Sequence, residues 1–152
     1  LQHVFPLNMA LGHQHCECTM SKYLYDGYNI EINYQLNRPF NSGGMTLGEA
    51  GEPIQMKPFD SFDYPYCDYI KLDVEGAESL VLMGAKQMIL KHRPLIMFEH
   101  TDKTVTEEMK RSLNIQETIL SPLELLTEWG YNNRCQYEKD KNFTKNKITV
   151  NY

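Results

Sequence analysis

Four side chains that can accept protons end two short apolar segments in the middle of the sequence. Asp73 and Glu75 end the first segment, and Glu99 and His100 end the second. Carboxylates and an imidazole can act as general bases, and carboxylate oxygens also bind hard divalent cations. If the chain brings these four side chains together, the sequence predicts a site for proton transfer or for oxygen-ligand chemistry.

The residues around these two points predict a strand, a helix and a second strand. Tyr69–Val74 alternates apolar and polar side chains, as a short strand does. Ala77–Lys91 predicts a helix that ends before Pro94, because proline cannot continue it. Leu95–Glu99 is almost wholly apolar, as expected of a strand covered on both faces. A right-handed crossover makes the strands parallel, so their polar ends share the edge where open α/β sheets bind ligands.

The other elements are predicted as strands before this unit and mainly as helices after it. Asp26-Gly27 is a turn signal between two β-prone runs, and Ser121-Pro122 is typical of a helix start. The polar segment Asn37–Pro53 is predicted as a loop. The predicted strands are His3–Leu11, Cys16–Leu24, Tyr28–Leu36, Ile54–Phe59, Tyr131–Tyr137 and Lys147–Tyr152, and the predicted helices are Val105–Leu113 and Ser121–Trp129.

Two histidines and two cysteines lie close together in the segment Gly12–Cys18. Zinc sites usually take wider ligand pairs. In a strand, His13 and His15 face one side while Cys16 and Cys18 face the other, so the four ligands do not converge. A plain strand is therefore favoured over a zinc site.

Three further residues near the central unit have structural interpretations. Asp60 is expected to cap a helix or to stabilise a turn. Glu78 is expected to favour the positive end of the helix dipole. Gly84 costs about 1 kcal/mol relative to alanine inside a helix, which makes sense if that helix packs closely on the sheet.

Length and charge limit the classes of function. The 152 residues are enough for one domain with a hydrophobic core. The net charge of −5, with no basic stripe, argues against a nucleic-acid surface. No apolar run approaches the roughly 18 residues of a membrane span.

Cysteine usage bears on the compartment. Cys16, Cys18, Cys67 and Cys135 are sparse, which indicates reduced thiols in a reducing compartment and hence a cytoplasmic location. The glycosylation sequon Asn142–Thr144 leaves a lumenal location open.

The central motifs resemble those of a known enzyme family. The segment Ile70–Glu78, IKLDVEGAE, is followed by the helical Leu82-Met83-Gly84-Ala85 and by Phe98-Glu99 at a strand end. This combination resembles the FkbM family of S-adenosylmethionine-dependent methyltransferases. Supporting similarities lie at Asn8–Leu11, Asn41–Gly44, Phe59–Phe62 and Trp129–Tyr131.

The resemblance implies an α/β fold with a partial Rossmann-like class I methyltransferase sheet of strand order 3-2-1-4-5-7-6. A β-hairpin insertion is expected within it, and the N-terminal strands and glycine-rich cofactor loop are missing. Residues 1–152 then form a single, incomplete domain. Missing upstream sequence, a partner chain or a rearranged sheet would account for the gap, and the start at Leu1 rather than Met favours missing sequence.

The resemblance also implies S-adenosylmethionine as cofactor and assigns site residues. Methyl transfer to a hydroxyl is an in-line displacement that needs proximity and a group to receive the proton. The expected catalytic residues are Asp73 and Glu75, the expected cofactor-binding residues are Asn8, Ala10 and Asp73, and the expected crevice wall is Glu99 and His100. Asn8 taken alone is also typical of a turn.

Three interpretations stay open. In the first interpretation, the chain is an O-methyltransferase of a small molecule or glycan, or the C-terminal part of one. Alternatively, it is a non-catalytic remnant that serves as an interaction domain. In the third interpretation, Asp73, Glu75 and Glu99 hold Mg²⁺ or Mn²⁺. An oligomer or a partner chain is also expected to cover the open edge of the sheet.

Overall fold

The computed structural model describes residues 3–24, 30–37, 44–100, 105–139 and 146–151, and these form a mixed α/β structure with two four-stranded sheets. The first sheet holds β1 (Ala10–Leu11), β2 (Cys16–Leu24), β3 (Met45–Gly48) and β4 (Ala50–Lys57) in the order β1-β4-β2-β3. β1 runs parallel to β4, whereas β2 pairs antiparallel with both β3 and β4. A short helix, α1 (Ile30–Gln35), lies between β2 and β3 in the chain.

The second sheet contains the predicted central unit. It is built from β5 (Tyr69–Leu72), helices α2 (Glu78–Gly84) and α3 (Lys86–His92), and β6 (Leu95–His100). Helices α4 (Glu107–Ser112) and α5 (Pro122–Glu128) follow, and β7 (Asn133–Lys139) and β8 (Asn146–Asn151) complete the order β5-β6-β8-β7. β5 and β6 are parallel, with Tyr69 opposite Leu95 and Leu72 opposite Phe98, which confirms the predicted strand direction.

Helix α2 connects the two hydrophobic clusters of the core. Its Leu80, which is fully buried, packs in the cluster that includes Met56 of the first sheet. Its Leu82 packs in the cluster that includes Ile96 and Phe98 of the second sheet. One short helix therefore supplies apolar side chains to the clusters of both sheets and holds the two sheets together.

Gly84 makes close packing at the end of α2 feasible. A Cβ atom at this position would overlap the carbonyl oxygen of Gly12 and would also touch the backbone of Pro58. The predicted close approach of the helix at Gly84 is confirmed.

The predicted hairpin is wrong in its second strand. Residues Ile30–Gln35 form α1 rather than part of a strand over Tyr28–Leu36. The alternation there is short, and Glu31, Gln35 and Leu36 suit a helix as well as a strand. β2 finds its partners instead in β3 and β4, so the second half of the predicted loop Asn37–Pro53 is also wrong. The predicted turn at residues 25–27 lies outside the described residues.

Three element boundaries differ from the prediction. The strand predicted over His3–Leu11 is reduced to β1, and Val4 and Phe5 lie exposed before it. The strand predicted over Ile54–Phe59 begins earlier and ends at Lys57, because Pro58 and a 3-10 turn follow. The single helix predicted over residues 77–91 is divided at Ala85 into α2 and α3.

The prediction that β6 is covered on both faces is wrong for the residues that the structure describes. Ile96 and Phe98 have no exposed surface, but Leu95 is 39% exposed and the neighbouring Tyr69 is 50% exposed. One face of the β5–β6 pair therefore packs against the core and the other is open. Composition alone does not separate these cases, because both faces carry apolar side chains.

The C-terminal elements agree with the prediction. α5 begins at a capping box in which Ser121 and Glu124 each accept a hydrogen bond from the other's backbone amide. α4 is amphipathic, with Met109 fully buried and Glu107 exposed. The two closing strands are present as β7 and β8.

Candidate functional site

Three carboxylates converge at the carboxyl edge of the β5–β6 pair. One oxygen from each of Asp73, Glu75 and Glu99 lies within 4.8 Å of the other two. Asp73 is exposed, whereas Glu75 and Glu99 are half-buried. The predicted meeting of these three side chains is confirmed. His100 is the last residue of β6 and its backbone lies opposite Asn146, but its side chain is outside the described part of the structure.

The loop between β5 and α2 has an unusual backbone. Glu75 has φ 50° and Gly76 has φ 93°, so two consecutive residues are left-handed. Glycine adopts this conformation freely, but glutamate does so at a cost of roughly 1 kcal/mol or more. The Ala77 amide donates to the Val74 carbonyl at 3.2 Å and closes the turn. This sharp turn holds the Glu75 side chain at the strand end instead of carrying it away along a helix.

Thr46 of β3 reaches the same loop from the first sheet. Its hydroxyl donates to the Glu75 carbonyl at 2.9 Å, and the residue is buried. Sequence reasoning missed Thr46 because Asn37–Pro53 was predicted as a loop. The signal available was the short β-prone run Met45–Leu47 before Gly48.

Glu78 lies behind the three carboxylates at the start of α2. It is 5% exposed, and its carboxylate accepts a hydrogen bond from the Val74 amide at 3.3 Å. Burial raises the pKa of Glu78, hydrogen bonds from backbone amides oppose that rise, and repulsion from Glu99 and Glu75 adds to it. The expected helix-dipole role for Glu78 therefore omits its burial and its contact with the strand-exit loop.

Lys71 places a positive charge at the rim of the three carboxylates. Its ammonium group donates to Asp73 at 2.7 Å, and both side chains are largely exposed. The hydrogen bond to Asp73 and the attraction of that carboxylate raise the pKa of Lys71. Lys71 is a further site residue that the sequence analysis did not single out, although it alternates with apolar positions on β5.

Asn8 and Ala10 belong to the first sheet and the segment before it, whereas Asp73 follows β5 of the second sheet. Ala10 opens β1 in the first sheet and packs against the cluster that includes Met56. Asn8 is exposed just before it. Within the described residues, no hydrogen bond or ion pair joins either residue to Asp73. Their expected cofactor role stays a prediction.

Asp60 performs the capping role expected of it, but for a distant helix. Its carboxylate accepts hydrogen bonds from the amides of Gln87 and Met88 at 2.8 and 2.9 Å. These amides open α3, so Asp60 satisfies backbone donors that a helix start leaves without partners. The Asp60 carboxylate thus has a structural role.

The thiols near the first sheet are engaged in packing. Cys16 donates to the sulfur of Met56, and Cys18 donates to the Ile54 carbonyl. Burial raises the pKa of Cys18 to about 11, which keeps it protonated at neutral pH. A buried, protonated thiol is a poor ligand and a poor nucleophile.

The converging carboxylates suit hydroxyl groups and cations. Like charges this close repel each other by roughly 1 to 4 kcal/mol per pair at dielectric values between water and a protein surface. A hydroxyl donor, a sulfonium, an ammonium or a divalent metal at this point relieves that repulsion. The oxygen-only set Asp73, Glu75 and Glu99 suits Mg²⁺ or Mn²⁺ better than zinc.

Comparison with known proteins assigns the chain to a family. The sequence profile of the methyltransferase FkbM domain matches residues 6–132, which include every residue of the site described above. No curated protein and no solved structure matches the chain. The helices of the described residues are all too short or too polar to cross a membrane. Because the profile covers most of the sequence, the chain belongs to the FkbM methyltransferase family.

Proposed function

We propose that the chain uses S-adenosylmethionine to methylate a hydroxyl group of a small molecule or glycan. The observation that carries the proposal is the meeting of Asp73, Glu75 and Glu99 within 4.8 Å at the carboxyl edge of two parallel strands. Ligands of open α/β sheets bind at this edge. The family match supports methyl transfer, and the carboxylates support a substrate with hydroxyl groups.

Each carboxylate has a distinct place in the proposed site. S-adenosylmethionine supplies the methyl group when it is bound. Asp73 is exposed and accepts hydrogen bonds from the hydroxyls of the cofactor or of the substrate. Glu75 would receive the proton that the substrate hydroxyl loses when its oxygen takes the methyl group, while the cofactor would leave as the thioether S-adenosylhomocysteine. Glu99, with His100 beside it in the chain, forms the polar wall of the crevice.

The order of the second sheet supports a class I methyltransferase sheet. β5-β6-β8-β7 is the order expected for strands 4-5-7-6 of that fold.

β5 lies at the edge of this sheet among the described strands. An edge strand carries unpaired N–H and C=O groups, so we propose that a second copy or a partner chain covers it. Light scattering of the purified chain tests for a second copy. A monomer at all concentrations would exclude the second copy and favour a different partner chain.

A transfer assay tests the proposed reaction. The full chain is incubated with methyl-labelled S-adenosylmethionine and a panel of monosaccharides, polyols and phenols. Label in one class of acceptor is expected for the wild type and for Glu128→Gln, an exposed control on α5, and a loss of about 100-fold for Glu75→Gln. Absence of cofactor binding by the wild type would support a non-catalytic interaction domain instead.

A divalent-metal site is the second candidate, favoured by the same three oxygens. Melting curves in Mg²⁺, Mn²⁺ and EDTA test it, because a ligand that binds the folded chain raises its melting temperature. A rise that Glu99→Gln abolishes and Glu128→Gln retains would support the metal. Identical curves in all three solutions would remove it.

We also propose a cytoplasmic location. Cys16, Cys18 and Cys67 are free thiols in the described part of the structure, as proteins of a reducing compartment usually have. Thiol titration of the unfolded protein, isolated without reductant, should count every cysteine as free. A disulfide found by mass spectrometry would contradict this location.

A further inference from the structure

Glu78 is the one carboxylate in the buried set of the described residues. Removing a carboxylate from water is costly unless its oxygens are hydrogen-bonded or paired with a cation. In the described part of the chain, its hydrogen bonds come from backbone amides, namely its own and that of Val74. These two hydrogen bonds therefore offset part of the cost of burying Glu78.

The amide that Glu78 holds lies between two residues of the site. Val74 stands between Asp73 and Glu75 in the loop where two consecutive residues are left-handed. Such a backbone persists when surrounding contacts fix it. The Glu78 hydrogen bond is one of those contacts and fixes the chain at the point where the directions of Asp73 and Glu75 are set.

A second contact fixes the other side of the same loop. Buried Thr46 donates to the Glu75 carbonyl at 2.9 Å, while Glu78 holds the Val74 amide. Helix α2 therefore holds the peptide unit between Asp73 and Val74, and β3 holds the peptide unit between Glu75 and Gly76. Glu99 approaches from β6, so three elements define the carboxylate cluster.

We propose that Glu78 is a positioning residue of the methyl-transfer site, which through Val74 holds Asp73 and Glu75 in register with Glu99. The inference rests on the proposed function of that site. Glu78 is close enough to Glu75 and Glu99 for their charges to affect it, which agrees with a place directly behind the cluster. Glu78 itself does not contact the substrate.

Substitution of Glu78 in the full chain tests the proposal with two readouts. Hydrogen exchange of the Val74 amide reports the loop, and calorimetry with S-adenosylmethionine reports the site. Glu78→Ala is expected to expose the Val74 amide and to weaken cofactor binding by about 10- to 100-fold, because small displacements of site groups have large effects. Glu78→Gln keeps an acceptor for the amide and should remain within about threefold of the wild type in both.

A matched control separates positioning from general stability. Glu124 is also a carboxylate that accepts a backbone amide at a helix start, on α5. Glu124→Ala should lower stability as Glu78→Ala does, but should leave Val74 exchange and cofactor binding unchanged. If Glu78→Ala fails to fold, Thr46→Val removes the other anchor of the loop and is expected to weaken binding by about tenfold.

The outcomes distinguish this inference from the function on which it rests. Cofactor binding that is equal in the wild type and Glu78→Ala would overturn positioning while leaving the proposed function intact. Unchanged exchange at Val74 in Glu78→Ala would also overturn it, as would a failure of Glu78→Gln to restore binding. A wild-type chain that binds no S-adenosylmethionine would overturn both proposals, and Val74 exchange would then show only a structural role for Glu78.

Discussion

The two ends of the parallel β5–β6 pair differ in how their polar groups are arranged. The amino edge is where the two strands begin, and the carboxyl edge is where they end. At the amino edge, each polar contact joins unlike partners: Arg93 donates to the Trp129 carbonyl, and the Tyr131 hydroxyl donates to the Pro94 carbonyl at 3.0 Å. At the carboxyl edge, three carboxylates lie within 4.8 Å of one another, and Lys71 pairs with one of them, Asp73. Satisfied pairs contribute to stability, whereas like charges held together oppose it. This difference supports the proposal that the carboxyl edge binds a ligand, whereas the contacts at the amino edge stabilise the fold.

The largest expected effect lies at the amino edge. Trp129→Ala should lower the free energy of unfolding by about 3–5 kcal/mol, because it removes a large, mostly buried side chain from the cluster that includes Leu126. Urea unfolding measures it. The affinity of the folded molecules for the cofactor should stay the same. A loss of affinity in the folded fraction would contradict the separation between an edge for packing and an edge for the ligand.

The next largest effect is expected at the carboxyl edge, where a substitution should lower activity and leave stability almost unchanged. Glu75→Gln should lower methyl transfer by about 100-fold if Glu75 receives the proton. Its free energy of unfolding should be unchanged or slightly higher, since one of three neighbouring negative charges is gone. A variant that loses both activity and stability would assign Glu75 a structural role.

Tyr131→Phe removes one buried hydrogen bond at the amino edge. The Pro94 carbonyl then loses its donor, so the free energy of unfolding should fall by about 1–3 kcal/mol. Chemical denaturation at neutral pH measures the change. Equal stability of the two proteins would mean that water replaces the hydroxyl.

The pH dependence of stability isolates Glu78. Because burial raises its pKa, the folded chain keeps a proton that the unfolded chain has lost between the ordinary and the raised value. Wild-type stability therefore falls as pH rises through that window, and it does not fall for this reason in Glu78→Gln. The stability of Glu78→Gln relative to the wild type should rise by about 1.4 kcal/mol for each pH unit between the two values. A difference that is constant from acid to neutral pH would contradict a raised pKa.

The smallest effect is expected at the rim. Lys71→Met breaks the exposed ion pair with Asp73 and should change the free energy of unfolding by less than about 1 kcal/mol, an effect that salt reduces further. Thermal melts at low and high salt measure it. A larger loss would mean that Lys71 stabilises the cluster more than an exposed pair does.

The parts of the fold that depend on local signals could be predicted from the sequence. Pro94 ends a helix, the capping box at Ser121 begins another, and parallel strand ends must meet, which brought Asp73, Glu75 and Glu99 together. These inferences need only the chain's own stereochemistry and short connections.

The parts that depend on distant contacts could not be predicted. Ile30–Gln35 forms a helix while β2 pairs with β3 and β4, and a short alternating run does not indicate which of these arrangements the chain adopts. The burial of Glu78 and the reach of Thr46 follow from the packing of α2 between two sheets. The apolar sequence of β6 does not indicate that one of its faces is open.

Calorimetric titration of S-adenosylmethionine into Asp73→Asn tests the central claim most directly, with Asp63→Asn as an exposed control outside the site. If the carboxyl edge of β5–β6 is the methyltransferase site, the wild type and Asp63→Asn bind equally and Asp73→Asn binds at least about tenfold more weakly. Equal binding by all three proteins would contradict the claim and place the cofactor elsewhere.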